Sequence, residues 1–172
     1  MAQHQWGERN LAEQATLLAL AFRAGRANRE EGDRFFVQPA DVGLDLGIGT
    51  DLFLFRNRRF LRVDVTDSRE QKPLKIRRTV KKAREGKGWV YILKVEWNEA
   101  AFITTDPCFT KAYDQSIRDG QMLAIERACP NHGNECNLAR KLWSFGNSIN
   151  YALVSSSTQA RFFAIPVSRP PF

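Results

Sequence analysis

The sequence has no long apolar run and little cysteine. No stretch approaches the roughly 18 consecutive apolar residues that a membrane-spanning helix requires, so no contact with a membrane is expected. The 3 cysteines are an odd number, which argues against a disulfide framework and favours a reducing compartment. Residues 1–10 lack the basic and then apolar pattern of a secretory signal peptide. We therefore expect a cytoplasmic protein.

The sequence also lacks internal repeats and low-complexity linkers. Its 172 residues are enough to bury a hydrophobic core, and its hydrophobic and charged shares of 43% and 26% are ordinary for a soluble globular protein. A single domain over residues 1–172 is therefore predicted.

Acidic residues are fewer than basic ones, at 19 against 26, which leaves a net charge of +7. Half of the basic residues, 13 of 26, lie between Arg56 and Lys87. Such clustering is typical of a surface that binds phosphates, whereas a solvated basic face that serves only solubility is the alternative. We expect nucleic acid as the partner, and the candidate contacts are Arg58, Arg59, Lys75, Arg77, Arg78, Lys81, Lys82 and Arg84.

The remaining chain is arranged around residues 45–67, which read as a hairpin. Residues 51–55 are β-prone, residues 56–59 form a basic connector, and residues 60–66 alternate between polar and apolar side chains. Because successive side chains of a strand point to opposite faces, Arg62, Asp64 and Thr66 should share one face of the sheet.

Two carboxylates of this hairpin are candidates for a metal site. A carboxylate inside a strand is costly to bury unless it is paired or binds a cation. Asp51 begins the strand that precedes Asp64, so the two should lie close together across the hairpin. Such a pair suits a hard divalent metal, Mg²⁺ or Mn²⁺. The structural alternatives are a salt bridge from Asp64 to Arg62 or to another basic side chain, and a turn-capping role for Asp51.

The other elements follow from periodicity and from turn residues. Asn10 and Glu13 form a capping box, which opens a helix that Gly25 can end. The predicted elements are a helix to residue 24, strands 34–38, 51–55 and 60–66, a helix 74–85, a strand 89–97, a helix 112–128, a closing hairpin of residues 149–155 with 161–167, and a tail 168–172.

The order helix, three strands, helix, strand, with Asp51 on the second strand and Asp64 on the third, resembles the core of the PD-(D/E)XK superfamily, the restriction-endonuclease-like nucleases. The resemblance implies an α/β core over residues 1–97 and leaves residues 98–172 unassigned. The predicted elements of that part form a C-terminal helical and hairpin extension. The resemblance also implies that Asp51 and Asp64 hold one or two divalent metals for phosphodiester hydrolysis, and that Glu13 on the first helix assists. DNA is favoured over RNA as the substrate. The capping box is the alternative explanation of Glu13.

The chain departs from the superfamily at the position of a lysine that positions or activates the attacking water. Thr66 stands there, and a threonine can orient a water but cannot supply positive charge. Lys72, Lys75 or Lys94 could reach the site instead. Residues 70–72, Glu-Gln-Lys, match the superfamily's (D/E)-x-K tripeptide literally, but this literal tripeptide lies beyond the alternating strand.

Three functions therefore stay open. The first is a metal-dependent endonuclease of reduced activity. The second is a noncatalytic nucleic-acid-binding or structural subunit with the same fold. The third is a small RNA-binding assembly protein whose acidic pair only forms salt bridges. An oligomer or a larger complex is compatible with each of them.

A separate group of residues has the composition of a zinc site. Cys129, His132 and Cys136 follow the spacing C-x2-H-x3-C on a loop that contains proline and glycine, and Cys108 lies upstream. Together they offer four ligands for a tetrahedral Zn²⁺ ion. The alternative is that the cysteines are reduced and packed as small hydrophobic residues.

Overall fold

The computed structural model describes residues 9–41, 50–69, 72–84, 89–156, 158–165, 167 and 169–172, and at residues 82 and 83 it describes the backbone alone. Residues 45–49 of the central stretch, residues 70 and 71 of the literal tripeptide, and the side chain of Lys82 therefore lie outside the described residues.

The described part of the chain holds four strands and six helices, which confirms the α/β class. In chain order they are α1 (Leu11–Glu30), β1 (Phe35–Pro39), β2 (Leu52–Arg56), β3 (Arg59–Asp67), α2 (Lys72–Arg84), β4 (Tyr91–Val95), α3 (Trp97–Thr104), α4 (Phe109–Ser116), α5 (Asn137–Ser156) and α6 (Thr158–Arg161). The order helix, three strands, helix, strand agrees with the prediction as far as β4.

The strands form one sheet in the order β1-β2-β3-β4. β1, β2 and β3 are an antiparallel meander, and β4 pairs with β3 in parallel. A parallel pair requires a crossover connection, and α2 provides it. The alternation predicted for residues 60–66 is confirmed, because Leu61, Val63 and Val65 are buried in the core while Arg62 and Asp64 are half-buried on the other face.

The core lies between the sheet and a layer made by α1, α3 and α5. α1 is buried around most of its circumference, which is typical of a helix enclosed by other elements. α2 contacts the opposite face of the sheet, where its Lys75 reaches Asp64. The sheet is therefore covered by helices on both sides at β3.

The predicted end of α1 at Gly25 is wrong, because the helix continues to Glu30. At Gly25 the main chain of Ile125 crosses the helix, and its N–H donates to the Ala21 carbonyl at 3.0 Å. A Cβ atom on residue 25 would lie 2.0 Å from the carbonyl oxygen of Ile125. The glycine permits this close approach and does not end the helix.

The predicted helix 112–128 is also wrong in extent. α4 ends at Ser116, and Gly120 adopts a positive φ of 74°, which a helix does not accommodate. The chain then runs irregularly to residue 136, and Leu123 forms an isolated antiparallel bridge with Val37 of β1.

The predicted closing hairpin is contradicted, because residues 137–156 form the helix α5. The aromatic and β-branched residues of this stretch favour strands locally, but tertiary packing overrides that preference. The buried side chains recur at helical spacing: Leu138, Leu142, Phe145, Ile149 and Leu153. The extension is therefore helical and irregular.

Strand β4 is shorter than the predicted strand 89–97. It spans Tyr91–Val95, and Trp97 already begins α3.

Candidate active site and metal-binding cluster

Asp51 lies just before β2 and is held against β3. Its carboxylate oxygen Oδ2 accepts a 2.6 Å hydrogen bond from the N–H of Val65, and its own N–H donates to the Val63 carbonyl at 2.9 Å. The residue is only 4% exposed. The Asp51 carboxylate is thus anchored to the residue that follows Asp64.

Asp64 forms a salt bridge with Lys75 of α2. The Nζ atom of Lys75 lies 3.2 Å from Asp64 Oδ1 and 2.8 Å from the carbonyl oxygen of Val65. Both side chains are mostly shielded, at 20% and 17% exposure for lysine and aspartate. Lys75 is one of the three lysines that the sequence suggests could reach the site, and two oxygen acceptors on β3 hold its ammonium group there.

Thr66, at the position where the predicted resemblance would place a lysine, is fully buried. Lys94 is its neighbour in the parallel register of β3 and β4, but that side chain is exposed. Lys72 lines a hollow beside Ile76 and Trp89. Among the three lysines proposed to replace the missing one, Lys75 is the one for which the described residues show a hydrogen bond to Asp64.

Glu13 takes part in the predicted capping box. Its N–H donates to Asn10 Oδ1, and its Oε1 accepts from Asn10 Nδ2, both at 2.9 Å. The residue before the capping box is linked to Asp51. The side chain of Arg9 donates to the Ala40 carbonyl, and the Ala40 N–H donates to the Asp51 carbonyl. The capping role of Glu13 is therefore visible, and a catalytic role stays a prediction.

Two polar residues beside the pair were missed by the sequence analysis. Thr50 is fully buried, and its hydroxyl has no hydrogen-bond partner in the part of the chain that the structure describes. Asp67, at the end of β3, is 2% exposed and forms an ion pair with Arg69. The hydrogen bond from Arg69 lowers the pKa of Asp67 and outweighs burial, which would raise it. The positive charge of Lys75 also lowers this pKa. Because Asp67 directly follows the alternating residues 60–66, the sequence could have indicated that this carboxylate lies near the acidic pair.

The predicted phosphate contacts divide into exposed and packed residues. The exposed ones are Arg58 in the β2–β3 turn and, on α2, Arg77, Arg78, Lys81 and Arg84. Lys75 is turned to Asp64, as described above. Arg59 is exposed, but its guanidinium also lies over the ring of Phe162, 4.3 Å from the centroid.

A group of aromatic side chains on the outer face of the sheet was also missed. The rings of Phe53, Phe55 and Phe60 have centroids 6.0 to 6.2 Å apart. Phe60 is 52% exposed, and Arg62 is paired with Phe53 across the strands. The three phenylalanines share their face with Asp64, because side chains repeat every two residues. The alternation of phenylalanine with leucine over residues 52–55 could have predicted that the phenylalanines share the face opposite to the core.

The predicted zinc ligands come together at a cleft that neither Asp51 nor Asp64 lines. Ligand atoms of Cys108, Cys129 and His132 all lie within 4.8 Å of one another, and Cys129 Sγ is 3.3 Å from His132 Nδ1. Cys136 lines the same open cleft as Cys108 and His132. All three cysteines are free thiols.

The thiols of this cluster interact with one another. A hydrogen bond with Cys129 raises the pKa of Cys108 to about 11. Burial alone would raise the pKa of Cys129, but hydrogen bonds from His132 and from backbone N–H groups outweigh it and lower that pKa to about 7. Cys129 is therefore the residue of the cluster that most readily becomes a thiolate, the form in which cysteine binds metal.

Comparisons with protein-family models, with curated proteins and with solved structures gave no match to this chain. None of the helices in the described ranges is long and apolar enough to cross a bilayer.

Proposed function

We propose that this protein binds nucleic acid and hydrolyses phosphodiester bonds with a divalent metal at Asp51 and Asp64, in the manner of the restriction-endonuclease-like nucleases. One observation carries the proposal: the carboxylate of Asp51 is bonded to the N–H of Val65, and the adjacent Asp64 is paired with Lys75. Asp51 and the Lys75–Asp64 ion pair thus contact strand β3 at two consecutive residues, Asp64 and Val65. DNA is the favoured substrate, because the superfamily that the chain resembles acts mainly on DNA.

The residues at this point fit a hard cation. Asp51 and Asp64 offer carboxylate oxygens, and the hydroxyl of Thr50, the residue before Asp51, is buried without a hydrogen-bond partner among the described residues. Oxygen ligands of this kind are those that Mg²⁺ and Mn²⁺ prefer. The metal would supply Lewis acidity toward a phosphate oxygen.

Lys75 takes the role that Thr66 cannot perform. Its ammonium nitrogen lies 3.2 Å from Asp64 Oδ1, so it brings a positive charge and proton donors to the acidic pair. A fixed cation beside the reacting phosphate stabilises negative charge that develops in the transition state, and an ammonium group can also orient a water molecule. The lysine comes from the crossover helix α2 instead of from β3.

The surface around the pair supports a nucleic acid as the ligand. α2 presents Arg77, Arg78, Lys81 and Arg84 to solvent, which suits a phosphate backbone. The cluster of Phe53, Phe55 and Phe60 lies on the same face of the sheet as Asp64, and exposed aromatic rings provide stacking surfaces for unpaired bases. The order of elements through β4 is also that of the superfamily core.

A noncatalytic binding protein is the second candidate, and the same salt bridge favours it. Lys75 neutralises Asp64 without any metal and attaches α2 to β3. In that case the acidic residues would stabilise the fold, and the basic surface alone would carry the function.

Metal binding and cleavage separate the two candidates. Calorimetry with Mn²⁺ should show binding that Asp51→Asn or Asp64→Asn weakens at least tenfold, and both variants should lose Mg²⁺-dependent cleavage of plasmid and of labelled single-stranded DNA. Asp33→Asn is the matched control, since Asp33 is also an ion-paired aspartate, at 18% exposure, but its partner is Arg56. If the wild type binds DNA yet cuts neither DNA nor RNA with either metal, the noncatalytic function is the correct one.

A further inference from the structure

We propose that Cys108, Cys129, His132 and Cys136 bind one structural Zn²⁺ ion, and that this ion holds the irregular segment 117–136 to the two helices beside it. This inference is independent of the proposed nuclease function. It rests on where the four side chains lie, how the loop that carries two of them is built, and what that segment contacts.

The four residues come from three separate parts of the chain. Cys108 is the residue before α4, Cys129 and His132 lie on one tight loop, and Cys136 is the residue before α5. No local motif requires a residue at the start of α4 to meet a loop more than twenty positions later. The proximity of Cys108 to Cys129 and His132, and the shared cleft of Cys108, His132 and Cys136, are therefore properties of the tertiary fold.

The spacing of the ligand atoms fits a single ion. Zn–S and Zn–N bonds of about 2.3 and 2.0 Å place tetrahedral ligand atoms roughly 3.3–3.8 Å apart. Cys129 Sγ and His132 Nδ1 are 3.3 Å apart, and Cys108 joins them with all separations at or below 4.8 Å. Small side-chain rotations would bring the three atoms to bonding distance of one ion.

Cys136 completes the set as the fourth ligand. It is half-buried and lines the same cleft as His132 and Cys108. Four protein ligands close the coordination sphere of zinc, and such closed sites are structural, whereas catalytic zinc keeps an open position. Sulfur and imidazole ligands select Zn²⁺ over Mg²⁺, so this site does not compete for the metal of the acidic pair.

The loop that carries Cys129 and His132 is shaped by its own backbone. Cys129 and Gly133 exchange two backbone hydrogen bonds, of 3.1 and 2.9 Å, and Gly133 takes a positive φ of 61°. Asn134 fastens the base of the loop, because it accepts from the Ala128 N–H and donates to the Glu126 carbonyl. Both ligands are therefore presented toward one point before any metal arrives.

Asp106 connects the Cys108 ligand to α5. Its Oδ1 accepts from the Cys108 N–H at 2.9 Å, and its Oδ2 accepts from Lys141 Nζ at 3.0 Å. Because Lys141 lies on α5, the carboxylate fixes the backbone of Cys108 relative to the helix that follows Cys136. Such supporting hydrogen bonds orient metal ligands.

The segment between α4 and α5 needs such an anchor. Residues 117–136 hold no helix and no strand beyond isolated bridges, yet Leu123 pairs with Val37 of β1 and Ile125 bonds to Ala21 of α1. An ion that joins the C-terminal part of the segment to the residue before α4 would bind the folded state alone and so stabilise its native contacts.

The test measures metal in the wild-type full chain purified without added metal. Elemental analysis should find about one zinc per chain. Co²⁺ added to the metal-stripped protein should give the visible bands of tetrahedral thiolate coordination. Chelation should lower Tm, and zinc alone should restore it. Asn131→Ala is the matched control, because Asn131 is an exposed, non-ligating residue of the same loop.

Cys136→Ser and His132→Ala should each weaken zinc affinity at least tenfold and shift the Co²⁺ spectrum, while Asn131→Ala should leave both unchanged. If a variant fails to fold, the wild-type Co²⁺ titration still decides the matter. The proposal is overturned if the wild type contains no zinc, shows no tetrahedral Co²⁺ bands and keeps its Tm with chelator. It is equally overturned if mass spectrometry of the native protein shows a disulfide between Cys108 and Cys129.

Discussion

The ammonium nitrogen of Lys75, on the crossover helix α2, lies 3.2 Å from a carboxylate oxygen of Asp64 on strand β3. The same nitrogen donates to the carbonyl of Val65, whose N–H donates to Asp51. Lys75 thus contacts Asp64 directly and is linked to Asp51 through the backbone of one residue, Val65. The role of this lysine is the feature that most sharply distinguishes an enzyme from a binding protein.

Lys75→Ala should lower metal-dependent cleavage by about 10²–10⁴-fold, which is the range for loss of a positioned acid–base group. Binding of uncleaved DNA should change little by comparison, since one phosphate contact at most is lost. Single-turnover rates and a binding isotherm measure the two effects. Lys94→Ala is the matched control, because Lys94 is exposed beside Thr66. Equal rates for wild type and Lys75→Ala would show that Lys75 only forms a salt bridge.

The exposed basic side chains of α2 should bind phosphates. Replacing Arg77, Arg78 and Lys81 together with glutamine should weaken binding to all sequences alike. It should also flatten the log–log salt dependence by up to about 0.9 for each lost contact on duplex DNA. Fluorescence anisotropy at several salt concentrations measures both effects.

The control for that triple variant carries the same loss of charge elsewhere, at the exposed residues Lys111, Arg127 and Arg140. If both triple variants weaken binding equally, only net charge matters, and α2 is a solvated basic face.

Phe60→Ala should reduce affinity for single-stranded nucleic acid by about tenfold, because the loss of one stacked base costs about 1–3 kcal/mol. Affinity for a fully paired duplex should fall much less, since its bases are already stacked. Phe102→Ala is the control, because Phe102 is 62% exposed on α3. The same loss of affinity in both variants, or in neither, would remove the aromatic cluster from the binding surface.

Gly25→Ala should destabilise the fold although alanine is the better helix former by about 1 kcal/mol. The added Cβ would lie 2.0 Å from a backbone oxygen of Ile125, so the segment must move, at a cost of about 1–3 kcal/mol or more. Gly146→Ala should cost less, because its Cβ meets the side chain of Arg23 at 2.8 Å. Denaturant unfolding ranks the two variants, and the reverse order would contradict this account.

Asp67 should make stability depend on acid pH. The pKa of its carboxyl is lowered in the folded state by Arg69, so the group stabilises the fold above its unfolded pKa of about 3.9. That contribution is lost as pH falls through the lower folded value. Asp67→Asn should therefore reduce the slope of unfolding free energy against pH below about pH 4, and Arg69→Ala should reduce it similarly. An unchanged slope in both variants would mean that the ion pair is without effect on stability.

The α/β class and the order of elements through β4 could be predicted from the sequence. These features depend on local patterns: the capping box at Asn10, the alternation over residues 60–66, and the helical spacing over residues 74–85. Each pattern lies within a few helical turns or one strand. The residues that determine the element are therefore neighbours in the sequence. The proximity of Asp51 and Asp64 followed from the same hairpin.

Other features depended on contacts between distant segments. Gly25 reads as a helix end, but the approach of Ile125 gives it another role. Residues 149–155 read as a strand, but packing against the core places them in α5. In both cases the deciding partner lies far away in the chain, where local propensity carries no information.

The sequence by itself determined which chemical groups are present: two aspartates on neighbouring strands, a threonine at position 66, and a set of soft ligands in the C-terminal part. Only the tertiary structure decided which of them meet. It turned Lys75 toward Asp64 and gathered Cys108 with Cys129 and His132. The physical reason is that a side chain of several rotatable bonds goes where acceptors lie within reach, and the positions of those acceptors are set by how whole elements pack.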